Sequence, residues 1–223
     1  MYTTDHGVAN PFHKCNLQDD GIGISLIIRH PNKAHGIIYD NLISHIDIFP
    51  TLCDLLGVDK PDYLEGLSYS EVFDDHNLKI DNEVYAEVNF HTSYEPIRCI
   101  RNERYKYIRY YDESWLKLNL SNIDESLSKS YLMDNGLSER TKPKEALYDC
   151  LYDKHERNNL INDDGLKDIV DELKDKLYKH MIKTNDPLLN GELEVKPNYK
   201  VNKKECLKAS SKDPNDYDER GRV

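Results

Sequence analysis

The chain has 223 residues, enough for one large or two small domains, and its 38% hydrophobic content supports a modest core with a polar periphery. A formal net charge of −11 argues against nucleic acid or anionic lipid as partner, since both call for a basic face, but leaves room for a small anion where basic side chains gather. No run approaches the roughly 18 apolar residues of a membrane span, and no charged stretch precedes an apolar one as in a signal peptide, so the chain reads as soluble and without an export signal.

In chain order, "MYTT" (1–4) is a possible strand, and Asp5-His6-Gly7 follows at its end. A carboxylate and an imidazole there can share one cation while Gly7 lets the chain turn. Lys14, eight residues after His6, could then reach an anion held by that metal. "GISLIIRHP" (23–31), a short apolar run ended by proline, predicts a strand buried on both faces of an α/β sheet. "SHIDIFPTLCDLLG" (44–57) predicts a helix with Ser44 as N-cap, Asp47 completing a capping box and Gly57 as the stop. Pro50 lies too deep for the first turn counted from Ser44, so the helix should start late or kink, with Ile48, Leu52, Leu55 and Leu56 on its inner face.

Residues 58–82 read as loop, 83–90 as a strand, and 97–111 as a hairpin turning at Asn102-Glu103. The 112–145 stretch has no clear period and reads as a surface excursion without evident chemistry. A strand and turn follow within 145–163. The strongest helix signal spans 165–187, with Leu166, Ile169, Val170, Leu173, Leu177 and Met181 at three- and four-residue steps. Residues 190–223 read as a polar tail that wraps the surface or is partly disordered. The five cysteines (15, 53, 99, 150 and 206) show neither CxxC nor zinc-ligand spacing, and idle reduced thiols are expected.

Residues 2–57 resemble the sulfatases of the alkaline-phosphatase superfamily. In that family an S/T-D-H/N-G segment is followed by Lys or Arg, a Gly with an apolar strand, and S-x-x-D-x-x-P-T-x(5)-G. Here the parts are "TTDHG", Lys14, Gly21 with "ISLIIRHP", and "SHIDIFPTLCDLLG", in the same order. "AEVNFHTSYEPIRCIRNERYKYIRYY" (86–111), "ALYDCLYDKHERNNLIND" (146–163) and "KTNDPLL" (183–189) further resemble the C-terminal subdomain of sulfatases close to heparan N-sulfatase. The 112–145 stretch matches poorly. The resemblance implies an α/β fold class: residues 1–60 as the C-terminal part of an alkaline-phosphatase-like domain, 61–189 as a smaller α+β subdomain with an antiparallel sheet and a terminal helix, and 190–223 as the tail.

The same resemblance implies site residues. Asp5 and His6 would be two ligands of a Ca²⁺ ion that neutralises sulfate oxygens. Lys14 would contact a sulfate oxygen during S–O or S–N cleavage, and His91 and Arg98 would approach the substrate side and favour an acidic sugar. Sulfatases of this kind take their nucleophile from C/S-x-P-x-R, oxidised to formylglycine. No Cys here has Pro two places on, and Ser93 of "SYEPIR" stands one residue too far from Pro96. The expectation is a C-terminal portion of a sulfatase acting on sulfated sugars, inactive alone, that self-associates or binds a separate N-terminal half through residues 1–57. The alternatives are a non-catalytic module binding a sulfated glycan or a protein, or a portion of a related phosphodiester or phosphonate hydrolase. Complete family members are usually exported or lysosomal, and the sequence leaves this chain's compartment open.

Overall fold

The computed structural model describes residues 1–33, 36–191, 193–196, 199–209 and 211–218. Strand β1 (Tyr2–Thr3) pairs antiparallel with β2 (Leu26–Ile27), and a short helix, α1 (Asp19–Ile22), lies between them in sequence. The strand expected over 23–31 is thus two residues long and not buried on both faces, for Ile27 is 65% exposed. A strand is covered on both faces only when helices and neighbouring strands flank it, and the described residues give β2 one two-residue partner.

Ser44 and Asp47 form the expected capping box, with the Ser44 amide donating to Asp47 Oδ2 at 2.7 Å. A 3₁₀ turn (His45–Asp47) leads into α2 (Ile48–Leu56). Pro50 is the third residue of α2, where a backbone N–H would have no intrahelical acceptor, so the helix starts late and needs no kink. Gly57 caps it at φ 66°, a left-handed conformation that glycine adopts without Cβ strain. The buried face differs from the expected one: Pro50, Thr51 and Cys53 are buried while Leu56 is 71% exposed. The reason is the following loop, which packs on that side through bonds from the Tyr69 amide to Thr51 Oγ1 (2.9 Å) and the Leu67 amide to Asp47 Oδ1 (2.8 Å).

The larger sheet is antiparallel in the order β3 (Glu83–Phe90), β4 (Tyr94–Asn102), β5 (Tyr105–Tyr110), β6 (Glu145–Asp149). Asn102 Oδ1 accepts from the amides of Arg104 and Tyr105, which places the β4–β5 turn one residue later than expected. Alternation along each strand separates two cores. Ile97, Cys99, Ile108 and Ala146 meet Leu17 on one face, while Ile100, Tyr107 and Leu147 meet Leu173 and Leu177 of α4 (Lys167–Lys183) on the other. The antiparallel sheet with its terminal helix follows the pattern expected for the second half of the chain.

Two segments depart from expectation. Residues 112–145 are not a bare surface excursion: α3 (Leu127–Asp134) forms there, and Leu120, Ile123 and Leu137 build a small core with Phe12. The polar tail is also more than a wrapping, because Leu193, Val201 and Cys206 are buried and Asn202 bridges to Ser93. In both segments single apolar residues dock onto distant parts of the chain, a pattern without helical or strand period. All five cysteines are unpaired. Among the described residues, no helix is long and apolar enough to cross a membrane.

Candidate functional site

The Asp5-His6-Gly7 turn is built by backbone pairing that extends the β1–β2 ladder. The Thr4 amide donates to Ser25 O (3.1 Å), Gly7 to Gly21 O (2.9 Å) and Val8 to Asp20 O (2.8 Å). A Cβ on Gly7 would lie 2.2 Å from Asp20 O, so this close approach requires glycine. Asp5 presents a carboxylate that is 91% exposed, and His6 Nε2 stands 3.9 Å from its Oδ1. His6 Nδ1 lies 2.9 Å from Gly7 O. With Nδ1–H donating there, the Nε2 lone pair is left on the side of Asp5, the arrangement by which a second hydrogen bond orients a metal-binding imidazole. This donor pair fits two positions of a divalent cation's shell, and no group of three or more such ligands exists among the described residues. A cleft of about 1110 Å³ is lined by Asp5 and His6 together with Ile24, Leu26, Ile43 and Tyr85.

Lys14 follows on a tight turn in which Asn10 O accepts from the amides of His13 and Lys14. Its ammonium donates to Asp124 Oδ2 at 2.6 Å, and only 18% of its side chain is exposed. His91 sits in the bend between β3 and β4. Burial and the charge of Lys14 push the His91 imidazole below its usual range, and the charges of Asp124 and His6 also act on it. The charges of Lys14 and His6 are thus felt at His91, and Asp5 stands beside His6, while Lys14 and His91 do not line the cleft that Asp5 and His6 line. Asp124 pairs with Lys14 from the 112–145 stretch, which carries neither a periodic signal nor a motif. The Lys14 ammonium, as donor to its side chain, holds the Asp124 carboxyl below its ordinary value.

Arg98 is elsewhere, against the expectation of a substrate contact. It shares the parity of Ile100 on β4 and so faces α4, where it is 3% exposed. Its Nε donates to Asp186 Oδ2 at 2.5 Å and its Nη2 to Asp186 Oδ1 at 3.0 Å, a two-pronged pair with a carboxylate that is itself 4% exposed. This arginine ties the end of α4 to the sheet.

A second buried charge cluster holds the site loop on the opposite face. Lys106, fully buried, donates to Leu17 O (3.1 Å) and Asp19 Oδ1 (2.5 Å) and pairs with Glu156 Oε1 (2.8 Å). Glu156 Oε2 in turn accepts from the Asp19 amide. Burial would lower the Lys106 ammonium, but Glu156 and Asp19 outweigh it and hold it above its ordinary value. Asp19 opens α1, whose Gly21 carbonyl carries Gly7, so the cluster links the sheet to the Asp-His-Gly turn. Sequence reading missed both Asp124 and this cluster.

Residues 5–135 match the model of the N-sulphoglucosamine sulphohydrolase C-terminal family. A motif-bearing turn, an antiparallel sheet and a terminal helix in this order define a C-terminal sulfatase region, and the chain belongs to that family. Among curated relatives, an ulvan-active sulfatase of Formosa agariphila is 28% identical over 187 residues, which is 81% of this chain and 36% of that protein. A sulfatase structure from Bacteroides thetaiotaomicron superposes with a TM-score of 0.61 at 22% identity, covering 82% of this chain and 34% of that one. A protein solved with its substrate D-glucosamine-2-N,6-O-disulfate superposes at 0.54 and 22% identity, covering 77% of this chain and 31% of its own. These structures share the fold. The chain spans about a third of the length of the curated relatives it matches.

Proposed function

We propose that this chain supplies one side of a sulfate-ester or N-sulfate hydrolysis site that acts on sulfated sugars. The observation that supports the reading is the exposed Asp5-His6 donor pair on the turn where the match to the sulphohydrolase C-terminal family begins. Asp5 and His6 are the residues that would hold a divalent cation, Ca²⁺ by the family's habit, which when bound polarises the sulfate oxygens. Lys14 donates to a sulfate oxygen and stabilises the charge that builds there as the S–O or S–N bond breaks. His91, whose imidazole burial and Lys14 push below its ordinary value, would donate a hydrogen bond on the sugar side. The formylglycine nucleophile has no counterpart motif in these 223 residues.

Turnover of an aryl sulfate tests the proposal. The purified chain is expected to be inactive, because removing a nucleophile that works in concert with its partners costs several orders of magnitude. Mixed with an N-terminal sulfatase segment carrying C/S-x-P-x-R and its formylglycine, it should gain activity that Lys14→Ala abolishes. Turnover by the mixture that is indifferent to Lys14→Ala would contradict the assignment.

A further inference from the structure

Asp124 stands where an anionic ligand of Lys14 would stand. Its Oδ2 accepts a charge-assisted hydrogen bond from the Lys14 ammonium at 2.6 Å, the kind of bond a sulfate oxygen would also accept. The pair is asymmetric: Lys14 is 18% exposed and Asp124 55%, so the cation is sheltered and the carboxylate lies on the solvent side.

The position of Asp124 is built by its neighbours. Residues 119–123 are buried in succession, and Asp124 is the first exposed residue after them. Asn122 Oδ1 accepts from the Thr92 amide (3.0 Å) and from Thr92 Oγ1 (2.6 Å). Asn122 Nδ2 donates to Glu95 Oε2 at 2.8 Å, and the Ser93 and Ser121 hydroxyls are 2.7 Å apart. These bonds lock the turn carrying Asp124 onto the segment that carries His91. On the other side, Phe12 packs against Leu120 and Ile123 and fixes the loop that carries Lys14. Both partners are therefore held in register by buried structure.

We infer that Asp124 is a specificity-determining residue that competes with the sulfate group for Lys14 and raises the anion strength a substrate must have to bind. A ligand sulfate has to displace the carboxylate from Lys14 and then lie beside a retained negative charge. An anion that also engages a cation at Asp5 and His6 can meet that demand, whereas a free anion gains less from Lys14 alone. The inference rests on the reading of Lys14 as the sulfate contact.

The test titrates sodium sulfate, at constant ionic strength, into the full chain and into Asp124→Asn, Asp124→Glu, Lys14→Met and the double variant Asp124→Asn/Lys14→Met. Chemical shifts of the Lys14 ε-methylene and the His91 ring report binding, with the His91 ring alone serving the Lys14→Met forms. A partly exposed ion pair contributes up to about 1 kcal/mol, so Asp124→Asn should tighten sulfate binding about fivefold. Asp124→Glu, which keeps the charge, should stay near the parent affinity, and Lys14→Met should abolish binding in both backgrounds. Unchanged or weaker binding in Asp124→Asn, with Lys14→Met still abolishing it, overturns the competition while leaving Lys14 as the anion contact. Binding that survives Lys14→Met, or no saturable binding in any form, overturns the underlying reading and the inference with it.

Discussion

Replacing Lys106 by methionine removes the cation from a cluster that holds Leu17, Asp19 and Glu156 together. The Glu156 side chain is 1% exposed and is then left as a buried carboxylate without its counter-ion, whereas Asp19, 33% exposed, retains Arg101 at 3.1 Å and reaches water. Removing one partner of a buried pair typically costs about 3–5 kcal/mol, and because Asp19 is partly relieved we expect about 3 kcal/mol here. That is a large share of the roughly 5–15 kcal/mol that stabilises a domain. Urea denaturation followed by circular dichroism gives the number. Burial already pushes the Glu156 carboxyl above its ordinary value, so in Lys106→Met the lost stability should return in part as acid protonates Glu156. Lys106→Met/Glu156→Gln should recover at least half of it at neutral pH. A loss under about 1 kcal/mol, or no relief from Glu156→Gln, would refute the reasoning that an uncompensated carboxylate sets the cost.

Three further outcomes follow from the same geometry. Arg98→Ala should cost about 3 kcal/mol by stranding the buried Asp186, and Arg98→Lys should restore part of it; a neutral Arg98→Ala would remove its structural role. Asp19, Asp112 and Asp186 are each raised by burial but held below the ordinary carboxylate value by their Lys106, Lys204 and Arg98 partners. Because their folded values are depressed, the stability they contribute is present above the unfolded value of 3.8 and is lost as pH falls through the folded values, so the acid limb should steepen below about pH 4 and flatten in Arg98→Ala. Hydrogen exchange in a dilute monomer should be faster across 20–57 than across 97–111, since Ile27, Ile38 and Leu56 are largely exposed while Ile97, Ile100 and Ile108 are buried; equal protection would count against an uncovered apolar face in the first part of the chain.

What was legible in the sequence was local. The capping box of Ser44 and Asp47, the stop at Gly57, the strand at 83–90 and the periodic face of α4 all depend on neighbours within a few residues, and their patterns name the element directly. The Asp-His-Gly turn was legible because its motif carries its own chemistry. The contacts that decide the roles of individual charges were not. Lys14 meets Asp124 across 110 residues, Arg98 meets Asp186 across 88, and Lys106 meets Asp19 across 87. No periodicity connects such pairs, and an arginine in a strand reads equally as a substrate contact or a buried tie until its partner is known. The strand at 23–31 was legible as an apolar run that describes burial on two faces, but its extent was not: only Leu26–Ile27 pair, and among the described residues β1 alone pairs with them.

The central proposal is that Asp5 and His6 hold a cation in a site that Lys14 and His91 share. Manganese(II) added at substoichiometric levels to the isotopically labelled chain tests it directly, because a paramagnetic ion broadens nearby resonances even when it binds weakly. The account predicts that Asp5 and His6 broaden first, that Lys14 and His91 follow, that the 167–183 helix is spared, and that Asp5→Asn removes the effect. Broadening centred on other acidic residues, with Asp5, His6, Lys14 and His91 unchanged, would contradict it.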